Sequence, residues 1–312
     1  MNPILEVEHF NLSFTQYDRG SRRRQFTAIR DLNLTVRAGE VAAVVGSSGS
    51  GKSLLAHAVL GLLPYNAAPS GTIRYAGEEL TSERVAALRG REMVLIPQGV
   101  SWLDPLMQVG PQLRRGDRSP AARQRSAAAL GRYGLGPETE TLYPFELSGG
   151  MARRVLMACA VQENPRLVVA DEPTPGLDPT AAGRMLGHFR ELAEGGAGVL
   201  FITHDLELAL AVAHRVTVFY AGTTVEEVAV DAFSSGQLAH PYTRALWDAL
   251  PQNGFTPLPG AQPGPGEVLD GCPFAPRCPH CRPECRSGAL PPWRETPLGR
   301  VRCHAWEGGD AL

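Results

Sequence analysis

The chain has 312 residues, 43% hydrophobic and 20% charged, with a formal net charge of −2. That length suggests about two domains, and the composition supports a packed core rather than a disordered chain. The charge excludes a general nucleic-acid binder, which needs a strong basic surplus or patch, so no nucleic-acid partner is expected.

The first residues, Met1 to Glu6, lack a basic region followed by an apolar run, so no secretory signal is read there. No apolar run reaches ~18 residues, so no spanning helix is expected and the chain reads as cytosolic. Leu5 and Val7, then Leu32, Leu34 and Val36, alternate with polar residues, the pattern of a half-exposed antiparallel sheet. Val41–Val45, Leu167–Ala170 and Val199–Ile202 are continuous apolar runs, as buried parallel strands are. Between the first and second of these runs, residues from about 100 to 165 read as a helical insertion. After Pro251 the chain turns rich in proline and glycine, which marks a linker or an extended arm. The division expected is 1–253 for the main domain and 254–312 for a linker and a cysteine-rich extension.

Two motifs carry chemistry. Gly46-Ser47-Ser48-Gly49-Ser50-Gly51-Lys52-Ser53 matches the phosphate-loop pattern G-x-x-x-x-G-K-S/T, between an apolar strand and a helical run. Its glycines let backbone N–H groups turn inward around phosphates, and the helix N-terminus adds a positive dipole end. Lys52, the one lysine beside 29 arginines, is placed to reach the β- and γ-phosphates of ATP, and Ser53 to ligate Mg²⁺. Asp171-Glu172 ends a buried strand at the edge where open α/β sheets bind ligands. Asp171 is expected to hold Mg²⁺, and Glu172 to act as general base toward a water attacking the γ-phosphate.

Leu147-Ser148-Gly149-Gly150-Met151 resembles the signature motif of ATP-binding cassette (ABC) ATPases, with Met151 in place of the commoner Gln. The resemblance covers about residues 4–250. It implies an α/β fold: a P-loop NTPase (RecA-like) core with an antiparallel β-subdomain and a helical insertion. It implies further site residues. Gln98 corresponds to the glutamine that touches Mg²⁺ or the lytic water and reports nucleotide state. His204 corresponds to the switch histidine on the γ-phosphate. Pro175-Gly176-Leu177-Asp178 resembles the D-loop, although Pro175-Gly176 departs from its usual pair. Ser148, Gly149, Gly150 and Asp178 would meet ATP held by a second subunit. Phe14 is the first choice for the aromatic that stacks on adenine, with Tyr17 the alternative.

The tail resembles that of ATPase subunits of oligopeptide, dipeptide and nickel importers, through His240-Pro241-Tyr242-Thr243-Arg244-Ala245-Leu246 and Gly271-Cys272-Pro273-Phe274-Ala275-Pro276-Arg277-Cys278-Pro279. This implies an iron–sulfur ligand set of Cys272, Cys278, Cys285 and Cys303, spaced x5, x6 and x17. Four thiolates suit a 4Fe–4S cluster or tetrahedral Zn²⁺, and the spacing matches neither common pattern. Cys281, His280 and His304 are further donors nearby. The reading is an ATPase subunit that energises uptake of peptides or of nickel/metal-chelate complexes. It implies a head-to-tail partner ATPase (self or paralogue), two membrane permease subunits, an extracytoplasmic solute-binding protein, and a peripheral place on the cytoplasmic face of the inner membrane. The alternative is a soluble ABC ATPase without a transport role.

Overall fold

The computed structural model describes residues 2–17, 23–162, 164–264, 267 and 270–308. Its elements in chain order begin with β1 (Pro3–Tyr17), β2 (Arg23–Arg37) and β3 (Val41–Val45), then α1 (Lys52–Val59). There follow β4 (Ala67–Tyr75), β5 (Glu78–Glu79), α2 (Ser82–Leu88) and β6 (Met93–Ile96). The helical stretch comprises α3 (Val109–Leu113), α4 (Pro120–Arg132) and α5 (Gly149–Val161), joined by short 3₁₀ turns. Then come β7 (Leu167–Asp171), α6 (Pro179–Glu194), β8 (Gly198–Thr203), α7 (Leu206–Val212), β9 (Arg215–Tyr220) and β10 (Thr223–Ala229). The chain finishes with α8 (Asp231–Ser235), α9 (Pro241–Asp248), β11 (Arg294–Thr296) and β12 (Gly299–Val301).

Two sheets form. The first is antiparallel, in the order β2-β1-β4-β5. The second runs β11-β12-β10-β9-β3-β8-β7-β6. Its β9-β3-β8-β7-β6 part is parallel, and β10, β12 and β11 extend it antiparallel. The parallel strands are apolar on both faces because both faces are covered. In β3, Val41, Ala43 and Val45 enter the core shared with α5 and α6, while Ala42 and Val44 enter the core shared with β1 and α1. Strands β7 and β8 alternate in the same way. This settles the α/β core, its antiparallel sheet and its helical insertion.

The tail joins the main sheet rather than trailing from it. β12 pairs with β10, Glu227 opposite Arg300 and Val228 opposite Gly299. A Cβ on Gly299 would sit 1.9 Å from the carbonyl oxygen of Glu227, so only glycine allows this approach. Glu227 is buried and ion-paired to Arg300 of the tail (2.7 Å) and to Arg215 (2.9 Å), which also binds Glu40 (3.0 Å). Phe274 is fully buried among Tyr220, Tyr242 and His240. Among the described residues no helix is long and apolar enough to cross a membrane.

Candidate functional site

The phosphate loop runs from the end of β3 to the start of α1, at the edge where β7 and β8 also end. Two of its glycines are forced by geometry. A Cβ on Gly46 would lie 2.2 Å from the Phe219 carbonyl oxygen, and Gly51 begins the helix at φ +104°. Lys52 is buried, 5% exposed, with Nζ donating to Gly46 O at 2.8 Å and Ser47 O at 2.9 Å. Burial lowers its pKa, opposed by the nearby charges of Glu172 and Asp171. Asp171 is buried too. Burial raises its pKa, with a smaller rise from Glu172, against lowering by a hydrogen bond with Ser53 and by His57 and Lys52. Its Oδ1 is buried with no hydrogen-bond partner. An orphaned carboxylate oxygen beside a serine hydroxyl is a donor set that fits Mg²⁺, a hard cation that takes oxygen ligands.

Glu172 stands one residue beyond β7 with φ +47°, the left-handed region that a non-glycine residue occupies only under constraint. The turn aims its carboxylate at His204 just past β8. His204 Nδ1 lies 2.9 and 2.8 Å from the two Glu172 oxygens. The pair has one buried and one open member, with side chains 9% and 58% exposed. The main chain of Glu172 is fixed from elsewhere. Arg153 on α5 donates to Glu172 O at 2.8 Å and to Gln98 O at 3.0 Å. It thereby ties the exposed Gln98 segment after β6 to the acid pair. Sequence reading missed Arg153, because nothing separates it from the other arginines except its place one turn into the helix that Ser148 caps.

Ser148 caps α5, accepting from Met151 N at 3.2 Å, and it is exposed together with Gly149 while Gly150 is half-buried. Asp178 is exposed and caps α6, accepting from Ala181 N at 2.9 Å, a bond that holds its carboxyl below the usual range. Both are short-side-chain caps at helix starts, where backbone N–H groups attract anions. Phe14 is buried, 7% exposed, and stacks on Phe26 with ring centroids 5.3 Å apart. Phe26, rather than Phe14, lines a cavity beside Gly49, Ser50 and Gly51. The Tyr17 side chain lies outside the described residues.

In the tail, Cys272, Cys285 and Cys303 are buried and Cys278 is half-buried. Burial pushes the Cys272 thiol up to about 12 and that of Cys278 to about 11, and neighbouring cysteines add to both. Backbone N–H groups of Phe274, His280, Ala305 and Trp306 oppose these rises at Cys272, Cys278 and Cys303. Thiolates are the ligands that a thiophilic metal centre takes. Yet among the described residues no three His, Cys, Asp or Glu side chains are placed to hold one metal ion. Cys281 is half-buried, with its sulfur 3.3 Å from Arg286 Nε.

Similarity to known proteins follows the same lines. The ABC transporter family model matches residues 29–175, and the model of the oligopeptide/dipeptide transporter C-terminal region matches residues 225–285. The chain is 36% identical to the oligopeptide transport ATP-binding protein OppD of Salmonella typhimurium, over 96% of this chain and 93% of that one. It is 32% identical to the dipeptide transport ATP-binding protein DppD of Escherichia coli, over 91% of each. A dimeric ATP-binding cassette solved in a post-hydrolysis state with ADP and Pi shares the fold, with a TM-score of 0.63 at 24% identity over 72% of this chain and 98% of that one. With a phosphate loop, an acid pair, a helix-capping signature and a matched tail in one chain, the protein belongs to the ABC transporter family, among the ATP-binding subunits of oligopeptide and dipeptide transporters.

Proposed function

We propose that this chain hydrolyses ATP to drive a peptide importer. The observation that carries the reading is Glu172: a strained, buried carboxylate aimed at His204 and close enough to Lys52 to act on its charge. In this reading Glu172 takes the proton of the attacking water and His204 orients it and contacts the γ-phosphate. Residues 46–53 bind the triphosphate. Ser53, Asp171 and Gln98 would hold Mg²⁺, which when bound neutralises charge on the β- and γ-oxygens. Ser148, Gly149, Gly150 and Asp178, presented at exposed helix starts, serve the ATP of a second subunit in a head-to-tail dimer. Phe14, or its stacking partner Phe26, supports the adenine. The names of the relatives favour peptides over the nickel or metal-chelate cargo that the sequence leaves open.

The membrane partners are read from surface chemistry. A groove of about 350 Å³ between β6 and α5 is lined by Leu95, Pro97, Trp102 and Leu156 together with Arg89 and Arg115, and Leu106 and Met107 lie exposed in the next turns. It suits an apolar element of a permease subunit at the cytoplasmic face of the membrane, with a solute-binding protein selecting cargo on the far side. Residues 1–253, with a helical subdomain at about 100–165, form the nucleotide-binding part, and 254–312 form an extension fastened onto it. Cys272, Cys278, Cys285 and Cys303 would hold a 4Fe–4S cluster or Zn²⁺, which when bound fastens the tail. Iron, sulfide and zinc analysis of anaerobically purified protein decides between them.

Steady-state ATPase assays on the assembled transporter test the main reading. Glu172→Gln is expected to keep ATP binding and lose about 10²–10⁴ in kcat. Hydrolysis at the wild-type rate would remove Glu172 as the base and the reading with it.

A further inference from the structure

The phosphate loop has a second layer of contacts that its motif does not explain. In a phosphate loop the N–H groups are kept for the anion, and the backbone carbonyls need partners of their own. Lys52 serves the carbonyls of Gly46 and Ser47. That of Ser48 is served from the far end of the chain. Gln262 lies in the proline- and glycine-rich stretch between α9 and the cysteines. Its Nε2 donates to Ser48 O at 3.1 Å, and its Oε1 accepts from the Ser47 hydroxyl. With Pro263 and Gly264 it also walls a cavity of about 170 Å³ whose other side is Phe26 and Gly49 to Gly51.

We propose that Gln262 is a positioning residue for ATP, holding the outer limb of the phosphate loop so that its N–H groups converge on the triphosphate. The inference rests on reading residues 46–53 as the ATP site and adds the C-terminal arm as its support. A loop with glycine at 46, 49 and 51 loses much conformational freedom when it orders around a ligand. Contacts that order it beforehand improve affinity. They leave the chemical step to Glu172 and His204; the contacts of Gln262 are with Ser47 and Ser48. The effect therefore belongs in the affinity for ATP and in KM, not in kcat.

Binding of a fluorescent mant-ATP–Mg²⁺ complex, melting temperature and steady-state ATPase activity of the full-length protein in its assembled transporter test this. Gln262→Ala is expected to raise Kd and KM about fivefold with kcat and melting temperature nearly unchanged. Gln262→Glu keeps the acceptor for Ser47 but loses the donor to Ser48 and adds negative charge beside the triphosphate, so it should bind more weakly than Gln262→Ala. An unchanged Kd in Gln262→Ala overturns the proposal. So does a tighter one, which would make the arm an obstruction. Lys52→Ala, measured alongside, separates the two readings. If it binds like wild type, the site itself is misplaced. If it loses binding while the arm variants stay normal, only the arm's role fails.

Discussion

Lys52 shows how tightly one residue can be specified. Its ammonium serves two carbonyls within 2.9 Å while the side chain is 5% exposed, a space shaped for a compact donor. A guanidinium is a planar fork and would push the loop open to fit. Lys52→Arg keeps the charge, yet it is expected to weaken nucleotide binding at least about tenfold. Near-normal affinity by equilibrium binding would mean that charge alone suffices there. At this scale the residues with fixed motif spacing were legible: Lys52, Ser53, Asp171 and Glu172. Arg153, Gln262 and Phe26 were not, because their importance lies in contacts 19 to 214 positions away along the chain. The family resemblance offers Phe14 as an adenine platform, but its burial against Phe26 depends on how β1 and β2 pair.

At the scale of elements, continuous apolar runs made β3, β7 and β8 easy to read. Strand β10 was hidden, because Thr223–Ala229 carries Glu226 and Glu227 and resembles a surface segment. Both acids are buried: Glu227 by arginines from β9 and β12, Glu226 by the N–H groups of Ala239 and His240 at 2.7 and 3.0 Å. The same corner holds His240, which caps α9 by accepting from Tyr242 N at 3.1 Å. Burial drives the His240 pKa down to about 3. The unfolded chain then binds a proton near pH 6.5 that the folded chain refuses until about 3. Stability from this group is present above 6.5 and is lost as the pH falls below it. Glu226, raised to about 7 by burial, acts in the opposite sense between about 4.5 and 7. His240→Asn retains a capping side chain and cannot titrate. Denaturant titrations at pH 7.5 and 5 are expected to show a smaller loss on acidification in this variant than in wild type. An equal loss would place the titration elsewhere.

At the scale of the molecule, the tail reads in sequence as an extension beyond a linker or extended arm, and Cys272, Phe274, Ala275 and Cys285 pack into the core that holds α5 and α6. Three sets of contacts contribute to the fastening. β12 extends the main sheet, Arg300 and Arg302 bind the buried Glu227 and the half-buried Asp31, and Phe274 fills the space among Tyr220, Tyr242 and His240. Of these, Phe274 is the part whose loss can be scaled. It is fully buried, and Phe→Ala in such a place costs about 3–5 kcal/mol. A typical domain has about 5–15 kcal/mol in all, so Phe274→Ala should lower the melting temperature sharply while leaving a folded protein. Truncation before residue 254 removes all three parts together. It frees the edge of β10 and uncovers the rings of Tyr220 and Tyr242, and an open sheet edge beside exposed aromatic rings can pair with other chains. The truncated chain is therefore expected to aggregate, even though the phosphate loop, acid pair and signature all lie upstream. Size-exclusion chromatography and thermal melts of residues 1–253 decide the matter. A monodisperse fragment with wild-type melting would show that the extended sheet and the aromatic corner are decoration on a self-sufficient cassette.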